Sequence, residues 1–214
     1  MKLPPVIPAL ALTLCFASCD PATSGHGSAA PAVPATKRLL PGGEVPDFTF
    51  TGHDGKMVSF SSLRPRSVLM TFIFTRCTMM EFCPRMSLKF QETRAALDAS
   101  PHKAEVELLS ITLDPEHDTP EALADYAKSF GAVAGGWTFA TCQPGVLERL
   151  KQRFGVQAAP TGPNGSIEHN LITALVDPRG LLQKVWEGNS WTTADVLLQF
   201  PSIPPAVAGN HAAR

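Results

Sequence analysis

No run or stripe of basic residues occurs in this 214-residue chain. Lysine and arginine number 18 against 19 aspartates and glutamates, a formal net charge of −1. Nucleic acid selects for a concentrated positive face, so this balance excludes it as a partner. A membrane-spanning run is also missing at the N-terminus: the apolar stretch Ile7 to Phe16 is too short to cross a bilayer as a helix. From Asp20 to Thr36 the chain is rich in Ala, Pro, Ser and Gly. It lacks the apolar side chains that would offset the entropy of ordering, and it reads as a tether, with His26 a solvated linker residue.

What is present begins with an export signal. Lys2 precedes the Ile7–Phe16 run, and Phe16-Ala-Ser-Cys19 follows it. This resembles the lipobox of bacterial lipoproteins, in which small residues precede the cysteine that becomes acylated and N-terminal. Ala17, Ser18 and Cys19 match, and Phe16 stands where Leu is usual. The expected organisation is a lipoprotein-type signal peptide over 1–18, a lipidated Cys19 and linker over 19–39, a folded domain over 40–203 and a loose tail over 204–214 that includes His211. The alternative is an ordinary secretory signal with Cys19 a bystander. Either way the domain works outside the cytoplasm, where cysteine pairs can be oxidised; on the lipoprotein reading it is lipid-anchored to a bacterial membrane and faces the periplasm or exterior.

Within the domain, Phe48 to Phe60 predicts a short hairpin turning at Asp54-Gly55, with His53 a turn residue. Val68 to Phe74 and Val106 to Leu113 are apolar runs of buried-strand length. Thr119-Pro120 starts a helix as N-cap and first-turn proline, Leu123, Tyr126 and Phe130 face inward, and Gly131 closes it. Trp137 to Ala140 predicts a strand. Pro144 opens a helix carrying Leu147, Leu150 and Phe154 and ending at Gly155. Gln157 to Ser166, with its prolines and glycines, predicts a loop. Asn170–Val176 and Leu181–Trp186 predict antiparallel strands about a turn at Asp177-Pro-Arg-Gly180. Thr192 or Thr193 caps a last helix running through Phe200. The order hairpin, βα, βα, βα, ββα calls for right-handed crossovers and parallel central strands closed by an antiparallel edge. The expected fold class is α/β, thioredoxin-like with a peroxiredoxin-type elaboration: a central mixed sheet flanked by helices.

The chemistry gathers just after the first long strand. Cys77 and Cys83 follow Phe74 at once, and Pro84 opens an amphipathic segment with Met86, Phe90, Thr93 and Leu97 on one face. Thiolates at a helix N-terminus are stabilised by unpaired backbone N–H groups and by the helix dipole. The bland alternative is a pair of small buried cysteines. In this plan His169, just ahead of the Asn170–Val176 strand, lies beside the pair; its own alternative is a hydrogen-bonded loop histidine. Two thiolates and an imidazole make a soft-to-borderline site that suits Cu(I) and, through the imidazole, Cu(II). Zinc with Cys, Cys, His and water is allowed by ligand type alone. The same cysteines can form a disulfide. Cys142 reads as a buried free thiol, with a resolving role toward Cys77 or Cys83 as the alternative.

Cys77, Cys83-Pro84, the loop Asp114-Pro-Glu-His-Asp-Thr-Pro120, and His169 ahead of Leu175-Val-Asp-Pro-Arg-Gly180 together resemble the Sco/SenC family, over about Pro46 to Phe200. The resemblance implies a membrane-tethered thioredoxin-fold protein that binds one copper ion per chain through Cys77, Cys83 and His169. It implies a membrane cuproprotein such as cytochrome oxidase as recipient, with a thioredoxin-like protein as reductant. The family's common spacing puts three residues between the cysteines; here Thr78-Met-Met-Glu-Phe82 makes five. That longer turn places Met79 and Met80 beside the sulfurs, as auxiliary thioethers or partner-facing residues. Asp114 and Asp118 are candidates for orienting the ligands, or simply for loop and helix-cap duty; His117 reads as exposed. The competing function is a metal-free thiol-disulfide oxidoreductase using Cys77 and Cys83. A peroxidase is disfavoured, since the Pro-x-x-x-Thr-x-x-Cys approach to the nucleophile is absent.

Overall fold

The structure is a computed structural model that describes residues 38–132, 135–161 and 165–200. Cys15, Cys19, the signal and nearly all of the linker, and the tail with His211, lie outside the described residues. Among the described residues no helix is long and apolar enough to cross a membrane.

A seven-stranded sheet runs through the molecule. In chain order its strands are β1 (Thr49–Gly52), β2 (Met57–Ser59), β3 (Ser67–Ile73), β4 (Val106–Thr112), β5 (Trp137–Thr141), β8 (Ile172–Val176) and β9 (Leu182–Glu187). Spatially they lie in the order β2-β1-β5-β4-β3-β8-β9. The three central strands are parallel, with Leu69 opposite Leu108 and Leu109 opposite Thr138. The flanking pairs are antiparallel, with Leu69 opposite Leu175 on β8. All seven residues of β3 and of β4 are buried, which is why both read as continuous apolar runs rather than alternating ones: helices cover both faces.

Alternate side chains divide between two cores. One face gathers Met70, Phe72, Leu109 and Ile111 under α3 (Pro144–Phe154), whose Leu147, Leu150 and Phe154 point inward. The other gathers Leu69, Ile73, Leu108 and Phe139 under α1 (Cys83–Asp98), α2 (Pro120–Ser129) and α4 (Thr193–Leu197). Two buried polar side chains of the sheet find partners within these layers. Thr71 Oγ1 donates to the Ile172 carbonyl at 2.9 Å, and the Trp137 indole N–H to Ser110 at 3.0 Å. This is the thioredoxin-like fold expected from the alternation of strands and helices.

Local signals account for most boundaries. Thr119 caps α2 by accepting from the Ala122 N–H, and Pro120 follows it. Gly155 ends α3 at φ 73°, a left-handed position that suits glycine. Thr192 and Asp195 form a reciprocal capping box on α4. Met86, Phe90, Thr93 and Leu97 are the buried face of α1.

Three details depart from the sequence reading. The 157–166 stretch is not all loop: β6 (Ala158–Pro160) pairs antiparallel with β7 (Ile167–His169) in a separate two-stranded sheet. Pairing across that insertion carries no local periodicity, so composition alone hides it. On α2, Leu123 and Ala127 are buried while Tyr126 and Phe130 are only partly so. The last helix stops at Leu197, and Leu198 to Phe200 continue as a turn.

Candidate metal centre

The candidate site forms where β3 ends. The chain leaves β3 through Phe74, Thr75 and Arg76 and reaches Cys77, and the β4–α2 loop grips that approach from the side. The fully buried Asp118 carboxylate accepts from the Thr75 N–H at 3.0 Å, the Thr75 hydroxyl at 2.5 Å and the Thr112 hydroxyl at 2.5 Å. Asp114 pairs with Arg76 at 2.6 Å. The two carboxylates therefore hold the two residues before Cys77. Thr75 and Arg76 had no signal of their own in the sequence; only the carboxylates opposite them stood out.

The turn between the cysteines is hydrogen-bonded rather than slack. The Phe82 N–H reaches the Met79 carbonyl at 3.0 Å, and the Arg85 N–H the Met80 carbonyl at 3.1 Å. Asn189 Nδ2 holds the Glu81 carbonyl at 3.1 Å. Cys83 opens α1 in its first turn and is fully buried; Cys77 is half-buried. Cys77, Cys83 and Cys142 are free thiols.

β7 delivers His169 to the same place. Its Nε2 lies 3.3 Å from Cys83 Sγ, and its Nδ1 lies 2.9 Å from the Asn170 carbonyl oxygen. A carbonyl only accepts, so Nδ1 carries the proton and the Nε2 lone pair faces Cys83. Phe74 packs edge-on against the ring, 5.9 Å between centroids. Burial holds the His169 pKa below its ordinary value, with the Asn170 carbonyl opposing. The imidazole is therefore neutral, the form that coordinates metal.

The two thiols diverge. The neighbouring Cys83 side chain brings the Cys77 pKa down to about 6, against burial and with help from the backbone N–H groups of Cys83 and Met79. The same interaction and burial push Cys83 far up. Cys77 carries the thiolate, and Cys83 is the protonated partner facing the imidazole.

A cleft of about 880 Å³ opens beside these groups, walled by Phe74, Cys77, Met79 and Phe82 on one side and by Ile167 and His169 on the other. The donor set fits a soft metal: an imidazole lone pair, a thiolate and a thiol that loses its proton on binding. Cys83 and His169 are the close pair. The trio with Cys77 is looser than the cluster of Asp114, His117 and Asp118, whose ligand atoms all lie within 4.8 Å of one another. In that cluster the carboxylates are already engaged by Arg76, Thr75 and Thr112, and His117 is exposed. Met79 and Met80 are exposed. Cys142 lies in the core under α3, across the sheet from Cys83, and burial pushes its thiol up to about 11.

Comparison with known proteins agrees with this architecture. The Bacillus subtilis (strain 168) SCO1 protein homolog is 32% identical over 158 residues, 72% of this chain and 79% of that protein. The cattle mitochondrial SCO2 homolog is 31% identical over 137 residues, and the chain spans 50% of its length. Among solved structures, BsSco, described as a member of the Sco family of cytochrome c oxidase assembly proteins, aligns with a TM-score of 0.63 at 29% identity. That alignment covers 77% of this chain and 95% of BsSco. The SCO1/SenC family profile matches residues 39–199, and the chain belongs to that family.

Proposed function

We propose that this chain is an extracytoplasmic copper metallochaperone, tethered through an acylated Cys19, that holds one copper ion between Cys77, Cys83 and His169. It passes the ion to a membrane cuproprotein, the copper centre of a cytochrome oxidase. The observation that carries the reading is the neutral His169 Nε2 aimed at Cys83 Sγ from 3.3 Å, with its other ring nitrogen anchored on a backbone carbonyl. That anchoring orients an imidazole as a metal ligand. Family membership supports copper as the ion and BsSco's assembly role supports an oxidase as the recipient. Three protein donors leave a coordination position for the recipient's ligand. Burial of Cys83 and His169 keeps competing water away from the inner donors.

The test is copper stoichiometry and spectroscopy on the reduced protein. One copper per chain, with a sulfur-to-copper charge-transfer band in the Cu(II) form that His169→Ala shifts or abolishes, is expected. Unchanged copper affinity in His169→Ala would overturn the ligand set.

A second reading has its own support. Cys77 is a half-buried thiol with a pKa near 6 and Cys83 its buried, protonated neighbour, the division of labour of a thiol-disulfide oxidoreductase. In that reading Cys77 thiolate attacks a partner disulfide and Cys83 resolves the mixed disulfide, while a thioredoxin-like reductant restores the dithiol. Copper lost to a modest chelator, together with ready cycling of a Cys77–Cys83 disulfide, would favour it.

A further inference from the structure

The turn between the cysteines exposes two large apolar side chains side by side. Met79 is 59% and Met80 67% exposed, whereas Met70 and Met86 are fully buried. The other large exposed hydrophobics among the described residues, Leu40, Met57, Leu88 and Leu198, stand singly in sequence. Exposure here is not the result of a slack loop. The carbonyls of Met79, Met80 and Glu81 are each held by a hydrogen bond, so the backbone is fixed while both thioethers point away from the core. Cys77 Sγ lies 3.8 Å from the Met79 carbonyl oxygen, and Met79 walls the cleft that contains Cys77 and His169.

Thioether sulfur is soft and carries no proton. It binds Cu(I) in preference to Cu(II) or zinc, and it does so without releasing a proton. The inner donors differ: Cys83 is fully buried and His169 nearly so, so an ion cannot reach them before it has shed its carrier. An exposed donor set suits the first contact.

Resting on the copper reading above, we propose that Met79 and Met80 form, with Cys77, an outer Cu(I)-receiving station from which the ion passes inward to Cys83 and His169. The transfer is a ligand exchange. Copper remains Cu(I) throughout, each Cu–thioether bond breaks as a Cu–thiolate or Cu–imidazole bond forms, and the Cys83 proton leaves to solvent. The five-residue spacer is what supplies this station.

The experiment compares the reduced full-length protein with the Met79→Leu/Met80→Leu variant. Leucine keeps the apolar surface and removes only the sulfur. Cu(I) uptake from a coloured Cu(I) chelate is followed by stopped flow, and Cu(I) affinity is measured at equilibrium against the same chelator. The expected result is uptake slowed by about tenfold, the factor that ~1.4 kcal/mol in a barrier gives, with affinity unchanged. In Cys83→Ala, copper X-ray absorption is expected to show thioether sulfur that disappears when the two leucines are added. Equal uptake rates in wild type and the double leucine variant overturn the station while leaving the copper reading intact, and assign the pair to apolar contact. A parallel loss of rate and affinity also overturns it, placing the methionines in the final site. Wild-type protein that takes up no Cu(I) overturns both proposals.

Discussion

Cys83 Sγ and His169 Nε2 stand 3.3 Å apart although 86 residues separate them in the chain. Their meeting depends on two elements of different origin. Cys83 is set by the first turn of α1, and His169 by the end of β7, whose pairing with β6 fixes where the strand stops. Either residue alone is an ordinary buried polar group; the pair is a donor set.

Cys77 is expected to alkylate as a low-pKa thiol. The thiolate is the reactive form, so a pKa near 6 leaves Cys77 deprotonated and reactive at pH 7, where a thiol at its reference value of 9.0 is almost wholly protonated. Iodoacetamide rate against pH in metal-free reduced protein, followed by mass spectrometry, gives the profile. Cys83→Ala removes the neighbouring side chain that lowers it, and the midpoint for Cys77 moves upward, toward 9.0. A midpoint that stays near 6 in that variant would show that the backbone N–H groups suffice.

The two carboxylates of the β4–α2 loop are expected to differ in weight. Asp118→Ala leaves the Thr75 N–H and the Thr75 and Thr112 hydroxyls without their acceptor inside the fold. The expected cost is roughly 2–4 kcal/mol in denaturant unfolding, from about 1–3 kcal/mol per buried group left unpaired, reduced by local relaxation. Breaking the Arg76–Asp114 pair by Arg76→Ala removes a partly exposed ion pair and is expected to cost about 1 kcal/mol or less. Equal losses in both variants would refute the distinction.

Cys142→Ala is expected to leave copper binding and the Cys77–Cys83 couple unchanged. The thiol sits in the opposite core and its pKa is pushed up to about 11 by burial, so it is neither near the site nor a thiolate at neutral pH. Peptide mapping after mild oxidation should show a 77–83 disulfide and a free Cys142. A bridge from Cys142 to either site cysteine would contradict this placement.

Phe90 is fully buried on α1, between Trp137 and Trp191 at centroid distances of 6.0 and 6.1 Å. Phe90→Ala should cost about 3–5 kcal/mol of stability by opening a cavity beneath the helix that carries Cys83. Thermal unfolding measures the loss, and a drop of less than about 1 kcal/mol would mean the layer under α1 collapses to fill the gap.

Much of the architecture was legible before any coordinate. The apolar runs at Val68 and Val106 read as strands covered on both faces, because a strand exposed on one side alternates. Thr119-Pro120 and Gly155 mark helix ends for reasons local to a few residues: a side-chain oxygen for an orphan N–H, a fixed φ, a permitted left-handed turn. Cys77, Cys83 and Pro84 announced a thiol pair at a helix start by adjacency alone, and α1 begins at Cys83.

What the sequence by itself determined is therefore whatever depends on neighbours along the chain: strand and helix type, most ends, and the thiol-bearing turn. Only the tertiary structure decided the β6–β7 pairing, the side of the sheet on which Cys142 lies, the grip of Asp118 and Asp114 on Thr75 and Arg76, and the tautomer of His169. Each of these is set by atoms distant in sequence. Strand pairing and buried hydrogen bonds are chosen by the packed whole, because a buried polar group must find its partner wherever the fold brings one.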